Sequence, residues 1–279
     1  YGVDPQSVSS EVLDSPAVEW VSLDDPVSAL DKTAYIEGVV VNLDSDDPDW
    51  QRFFTACTQM SLPLLHAADM HEYLTGRVSL ERLVEGRLSD FQPHPVYQPF
   101  KRLFDILIVV AVLPLALAIG GLVAVAIKLD SPGPVFFIQP RVGHRSQRFR
   151  MIKFRSMEAN PANREVRFTH DDDPRVTRVG RAIRPLRIDE LPQLWNVLVG
   201  EMSVIGPRPE QITFVRRFER IIPFYGYRHS VKPGITGWAQ VTRGYAASVA
   251  STRDKLEHDL YYAKHCSVWL DIVILMRTI

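Results

Sequence analysis

From Ile106 to Ile127 the chain runs 22 residues without a charge, with Lys101, Arg102 and Asp105 before the run and Lys128 after it. At 1.5 Å per helical residue this covers roughly 33 Å, enough to cross the hydrocarbon core of a bilayer. A buried helix of a soluble protein normally keeps a polar face, and this run has none. The segment is therefore read as membrane-inserted. Pro114 lies in its first half and lacks the N–H that would close a helical hydrogen bond, so a kink is expected there, with Gly120-Gly121 as a softer second site. Basic residues flank both ends, so charge asymmetry gives no orientation. A helix that breaks, entering and leaving on one face, keeps both flanks on the same side. This re-entrant form over residues 101–130 is the expectation, against a straight span as the alternative.

The near-neutral total hides two unlike parts. Residues 1–98 hold 17 acids against 5 bases, whereas residues 99–279 hold 16 acids against 27 bases. The basic part suits phosphates, nucleic acid or an anionic membrane surface; the acidic part suits none of these. Cys57 and Cys266 are too few for a disulfide framework and too isolated for a metal site. In the acidic part, Val39-Val40-Val41 within 38–43 reads as a buried strand, Asp49 to Met60 as a helix, and Leu62 to Leu65 as a second strand. Strand, helix, strand at this spacing gives an α/β class with a parallel sheet. No G-x-G-x-x-G follows a strand, so dinucleotide binding has no support and a regulatory or packing role is preferred. Residues 92–100, rich in proline, read as a linker.

Beyond the apolar run, Asp130-Ser131-Pro132-Gly133-Pro134 is a turn by composition, and Arg141, Arg145, Arg148, Arg150, Lys153 and Arg155 follow. A basic run is usually a solvated face; directly after a membrane segment, a phosphate or anionic-lipid role gains weight. The densest chemistry lies between Arg184 and Leu198, where Asp189 and Glu190 adjoin behind Arg184 and Arg187. Leu191, Leu194 and Leu198 recur at helical spacing, so the two acids could simply cap a helix. The segment Gly206-Pro207-Arg208-Pro209-Glu210 tips the balance, because two prolines hold an arginine in a stiff loop suited to a phosphate. His170 to Asp173 could suggest a metal cluster, but a charged surface loop is the preferred reading.

A series of strings in this order resembles the bacterial sugar transferases, the monotopic polyprenyl-phosphate phosphoglycosyl transferases that start cell-surface polysaccharides. They are Lys101-Arg102-Leu103-Phe104-Asp105, Ser131-Pro132-Gly133-Pro134-Val135-Phe136, Lys153-Phe154-Arg155-Ser156-Met157 and Asp189-Glu190-Leu191-Pro192-Gln193. Gly206-Pro207-Arg208-Pro209, Lys232-Pro233-Gly234-Ile235-Thr236-Gly237-Trp238 and Asp259-Leu260-Tyr261-Tyr262 with Trp269-Leu270-Asp271 complete the series. Any one alone is weak; the ordered set across about 180 residues is specific. Where the family often has Ser-Pro at the helix break, this chain has Leu113-Pro114, and leucine cannot satisfy a freed carbonyl.

The resemblance implies transfer of a sugar 1-phosphate from a UDP-sugar to polyprenyl (undecaprenyl) phosphate, releasing UMP, with Mg²⁺ as cofactor. Asp189 would be the nucleophile that forms an aspartyl-phosphosugar intermediate, and Glu190 would hold the metal. Lys153, Arg155, Arg184 and Arg208 would steady phosphate charge, and Asp259 would be a further acid of the site. The expected arrangement is a C-terminal part of a Rossmann-like regulatory domain at 1–91, a linker at 92–100, a re-entrant membrane helix at 101–130 and a mainly helical α+β catalytic domain at 131–279. The partners would be the UDP-sugar, polyprenyl phosphate and membrane lipids, without nucleic acid, with a homo-oligomer left open. The location would be the cytosolic face of the bacterial cytoplasmic membrane. A glycosyltransferase releasing UDP and an inactive membrane scaffold are the competing readings.

Overall fold

The computed structural model describes residues 2–3, 13, 16, 18–23, 25, 36–41, 47–80, 83, 91–158, 173–243 and 249–278. The chain divides into two compact units, residues 1–85 and 86–279.

In the first unit, β1 (Gly2–Val3), β2 (Val21–Ser22), β3 (Val39–Val41) and β4 (Leu64–His66) form one parallel sheet in the order β2-β1-β3-β4. Side chains alternate across a strand, so the three valines of β3 feed two cores. Val39 and Val41 join Leu23, Ile36, Phe53 and Cys57, while Val40 joins Ala67 and Met70. Helix α1 (Pro48–Gln59) starts where expected, with Pro48 at its first turn and the Asp47 carboxylate accepting from Asp49 N at 2.9 Å. The second strand begins two residues later than the sequence reading and ends one residue later. Ser61, at φ 56°, completes the turn that ends α1, with Leu62 N bonded to Cys57 O, so pairing begins only at Leu64. Helix α2 (Ala67–Thr75) follows directly and ends at Gly76 in the left-handed conformation.

The second unit opens with α3 (Tyr97–Asp130), a helix of 34 residues. It begins inside the stretch read as a linker, because Pro99 falls in the first turn, where its missing N–H would have had no partner anyway. The helix continues through Pro114. Leu107, Val110, Leu115, Leu117, Leu122, Val125 and Leu129 are exposed, while Asp105, Val109, Ala116 and Ile127 are buried. Both ends of α3 grip the same unit. Near its start, Arg102 donates to the carbonyls of Val197 and Leu198, at 2.5 and 2.6 Å, and Asp105 accepts from Ser203 Oγ and Val204 N. At its end, Ile127 packs with Phe154 and Ile183, and Asp130 accepts from Val179 N.

A hairpin follows, β5 (Phe136–Val142) antiparallel to β6 (Arg148–Phe154). Its tip places Arg145 and Ser146 at φ 53° and 58°, with Gln147 N bonded to His144 O, a left-handed turn normally given to Asn-Gly. Next come α4 (Arg178–Ile183), a 3₁₀ turn Ile188–Glu190, α5 (Gln193–Val199), β7 (Ser203–Ile205) and α6 (Ile212–Ile221). A 3₁₀ segment Tyr225–Ser230, β8 (Gly234–Thr236), α7 (Trp238–Arg243), α8 (Val249–His265) and α9 (Val268–Thr278) complete it. Strands β7 and β8 pair in parallel. Gly206, Gly234 and Gly237 meet backbone to backbone around this pair, where a Cβ on any of them would collide with main-chain atoms. The loop that leaves β7 is thus seated directly on the segment containing β8.

Candidate active site

The 3₁₀ turn carrying the two acids sits on an apolar bed. Ile188 and Leu191, on either side of the pair, pack against Ile127 at the end of α3 together with Phe154 and Ile183. Arg187, which precedes the turn, is held at φ 52°, a conformation costly for a residue with a Cβ. Glu190 then turns inward and is buried, while Asp189 stays half-buried.

Glu190 Oε1 accepts from Lys153 Nζ at 2.7 Å and from Arg208 Nη2 at 2.7 Å; Arg208 Nη1 stands 3.4 Å from Oε2. Burial alone would raise the Glu190 pKa. The Arg208 and Lys153 charges and their hydrogen bonds outweigh burial and hold it at about 2. Lys153 moves down, first through burial and then through the neighbouring Arg208 charge. The Asp189 carboxylate takes no hydrogen bond from a described residue. Burial raises its pKa above the ordinary aspartate value, with Lys153 the largest opposing charge and the Glu190 charge adding to the rise. Arg184 lies within electrostatic range of Asp189. The turn therefore presents one carboxylate locked between cations and one with open lone pairs.

Arg208 owes its position to a loop held along its length. Pro207 O accepts from Gly234 N, Arg208 O from Arg228 Nη2, Pro209 O from Arg141 Nη1 and Glu210 O from Val142 N. Four successive carbonyls are thereby fixed. Arg228 is fully buried and donates from Nε and Nη2 to Asp259 at 3.1 and 2.6 Å. Glu210 pairs with Lys255 at 2.5 Å, and with Arg141 at 4.0 Å. Lys153 is placed by Asn196 of α5, whose side chain accepts from Ile152 N and donates to Arg150 O along β6.

Of the residues singled out from sequence, Asp189, Glu190, Lys153, Arg184 and Arg208 converge. Arg155 is only 4% exposed and spends its guanidinium on the carbonyls of Ile127, Ser131 and Pro132 and on Ser131 Oγ. That geometry ties the end of α3 to the hairpin rather than aiming the side chain at the two acids. Asp259 stands one step removed from the pair, bonded to Arg228, which in turn donates to the Arg208 carbonyl. Arg228 and Asn196 were not singled out by sequence, Arg141 was read only as part of the basic run, and Arg102 and Asp105 only as flanking charges and members of a family string, because each works through a main-chain group or a partner distant in the chain. His170, Asp171 and Asp172 lie outside the described residues; Asp173 pairs with Arg175 at 2.5 Å. Among the described residues no group of three or more acids, histidines or cysteines could hold a metal. Both cysteines are free thiols.

A family model described as bacterial sugar transferase matches residues 96–279, from the residue before α3 through the acidic pair, the Arg208 loop and α9. The chain belongs to the bacterial sugar transferase family. The matched span includes every member of the charged network around Glu190. Among family relatives, the UDP-N-acetylgalactosamine-undecaprenyl-phosphate N-acetylgalactosaminephosphotransferase of Aeromonas hydrophila is 49% identical over 281 residues, covering 100% of this chain and 66% of that protein. The UDP-glucose:undecaprenyl-phosphate glucose-1-phosphate transferase of Escherichia coli is 41% identical over 181 residues, 64% of this chain and 39% of that protein. The exopolysaccharide production protein PSS of Rhizobium leguminosarum is 40% identical over 185 residues, 64% of this chain and 92% of that protein. The chain thus spans less than two thirds of the first two relatives' length.

Proposed function

We propose that the chain transfers a sugar 1-phosphate from a UDP-sugar to polyprenyl phosphate. The observation that carries this reading is the contrast within the acidic pair: an open carboxylate at Asp189 beside a carboxylate clamped by Lys153 and Arg208. In the first half, an Asp189 oxygen attacks the phosphorus bearing the sugar. The bond from that phosphorus to the bridging oxygen breaks, UMP departs with the electron pair, and an acyl phosphate remains on Asp189. In the second half, a phosphate oxygen of the polyprenyl phosphate attacks the same phosphorus, the bond to Asp189 breaks, and the carboxylate is regenerated. Two steps allow a water-soluble donor and a lipid acceptor to use one site in turn. Lys153, Arg208 and Arg184 supply positive charge where phosphoryl charge builds up.

Glu190 would be the protein ligand for Mg²⁺, its Oε2 having only a 3.4 Å contact, since this ion needs only one or two carboxylates alongside substrate phosphates and water. When bound there it would neutralise diphosphate charge.

We further propose that α3 is re-entrant, so that both flanks lie on the cytosolic face of the cytoplasmic membrane, where nucleotide sugars are. The support is that residues at both ends of α3 bond to one compact unit while its middle exposes leucine and valine. The acidic part is proposed as a Rossmann-like regulatory module. The Aeromonas relative makes UDP-N-acetylgalactosamine the first donor to test.

Incubating the chain with UDP-N-acetylgalactosamine and polyprenyl phosphate should release UMP, with UDP absent. Without acceptor, intact mass should show a phosphosugar adduct that Asp189→Asn abolishes. Release of UDP, or near-full activity of Asp189→Asn, would sink the reading.

A further inference from the structure

The hairpin has two faces, and one of them runs into the site. Register pairs Phe137 with Lys153, Gln139 with Met151 and Arg141 with Phe149. Directly opposed residues put their side chains on the same face, with Cβ atoms about 5 Å apart. Lys153 reaches Glu190 at 2.7 Å, and Arg141 reaches the carbonyl of Pro209 at 3.1 Å. This face therefore looks toward the acidic pair and the Arg208 loop. Phe137, next to Lys153 across the strands, is nevertheless 49% exposed. The other face is spent differently: Phe136 stacks on Phe154, and Phe154 is the side chain that a Cβ on Gly120 of α3 would touch.

The face is graded. Its apolar end, Phe137, lies two residues from Val135, which packs against the cluster at the end of α3. Its far end, Arg141, is cationic. On this face the exposed Phe137 thus stands directly beside the ammonium of Lys153. A ligand with a hydrocarbon tail and an anionic head matches that order; a fully water-soluble one does not. We infer that Phe137 and the strand face it shares with Lys153 seat the acceptor lipid, with the first prenyl units on Phe137 and the phosphate drawn to Lys153. This rests on the reaction proposed above and assigns the acceptor its place in it.

The test uses the full chain in detergent micelles with Phe137→Ala, Phe137→Leu and Ile138→Ala, the last altering an exposed apolar residue on the opposite face. The KM for polyprenyl phosphate, the KM for the UDP-sugar and the UMP burst without acceptor are read separately. Phe137→Ala should raise the acceptor KM about tenfold, the weight of a partly buried aromatic side chain, with donor KM and burst unchanged. Phe137→Leu should recover most of the loss, and it is the variant read if the alanine form shows no melting transition. An equal rise in donor KM or a slower burst would mean that Phe137 serves the nucleotide or merely positions Lys153, and overturns the seat. A matching loss in Ile138→Ala overturns it too, since the hairpin would then be a general bilayer contact. A missing burst in the unmodified chain refutes the reaction itself. In that case retention of polyprenyl phosphate by unmodified and Phe137→Ala chains, read by native mass spectrometry, still decides the seat: equal retention refutes it.

Discussion

Asp189 and Glu190 are neighbours in the chain, yet their proton affinities move in opposite directions. Two cations bond to Glu190 and hold it at about 2, so it stays ionised throughout any working range. Asp189 is raised by burial, and Lys153 is the largest charge holding it down. Activity that needs an ionised Asp189 should therefore fall on acidification at a higher pH than an ordinary aspartate would give. Removing the Lys153 charge removes a stabiliser of the carboxylate, so Lys153→Met should move the acid limb of kcat/KM to still higher pH while lowering its plateau. An acid limb that stays in place would show that another group controls it. The residues of this balance were legible in sequence because they come as short, dense strings: two acids together, an arginine between prolines, a lysine before Phe154. Arg228 was not, because its meaning comes from Asp259, 31 residues away, and from a carbonyl of the loop. Nor did the sequence reveal that Arg155, in the same string as Lys153, turns to the helix end instead.

Among the elements, α3 was legible from its missing charges, but its role as a brace was not. Its first turns hold both elements that flank the site. Arg102 caps α5, which leads out of the acidic turn, and Asp105 holds β7, which leads into the Arg208 loop. From sequence these stood as charges flanking a membrane segment and as part of a family string, with no partner named for either. Arg102→Ala should leave two helix-end carbonyls without their donor and cost about 2 kcal/mol, the range for hydrogen bonds to a charged group. Thermal unfolding should show a lowered midpoint, with Arg102→Lys intermediate because an ammonium cannot reproduce the two-pronged contact. An unchanged midpoint would show that the clamp does not contribute to stability. The hairpin tip supplies a converse case. Arg145 sits in a left-handed position that asparagine tolerates better, so Arg145→Asn should raise the midpoint slightly, by roughly 0.5 kcal/mol in free energy.

At the scale of the whole molecule, the two ends of α3 decide how the chain can meet a bilayer. A straight helix of 34 residues would be roughly 51 Å long, longer than a bilayer's hydrocarbon core. Were it to cross, Arg102 and Asp130 would lie on opposite sides. Yet Arg102 bonds to α5 and Asp130 to the start of α4, and both helices belong to one compact unit. A domain with irregular loops and open strand edges cannot sit across hydrocarbon, where unpaired backbone groups find no water. On the re-entrant reading proposed above, the unit stays on one side and the apolar middle of α3 enters the membrane by bending or lying shallow. Pro114 is the interior residue without an N–H to close the helix, which makes it the place for a bend. Single cysteines at Gln92 and Arg220, in a background with Cys57→Ala and Cys266→Ser, should both react with an impermeant maleimide from the same side of sealed vesicles. Pro114→Ala should restore a helical hydrogen bond, favour a straighter helix and lower activity, because straightening pulls one of the two clamped ends from its partner. Labelling of the two positions from opposite sides in the otherwise unmodified chain would mean that α3 crosses the bilayer, and that the contacts at its two ends cannot both persist in the membrane.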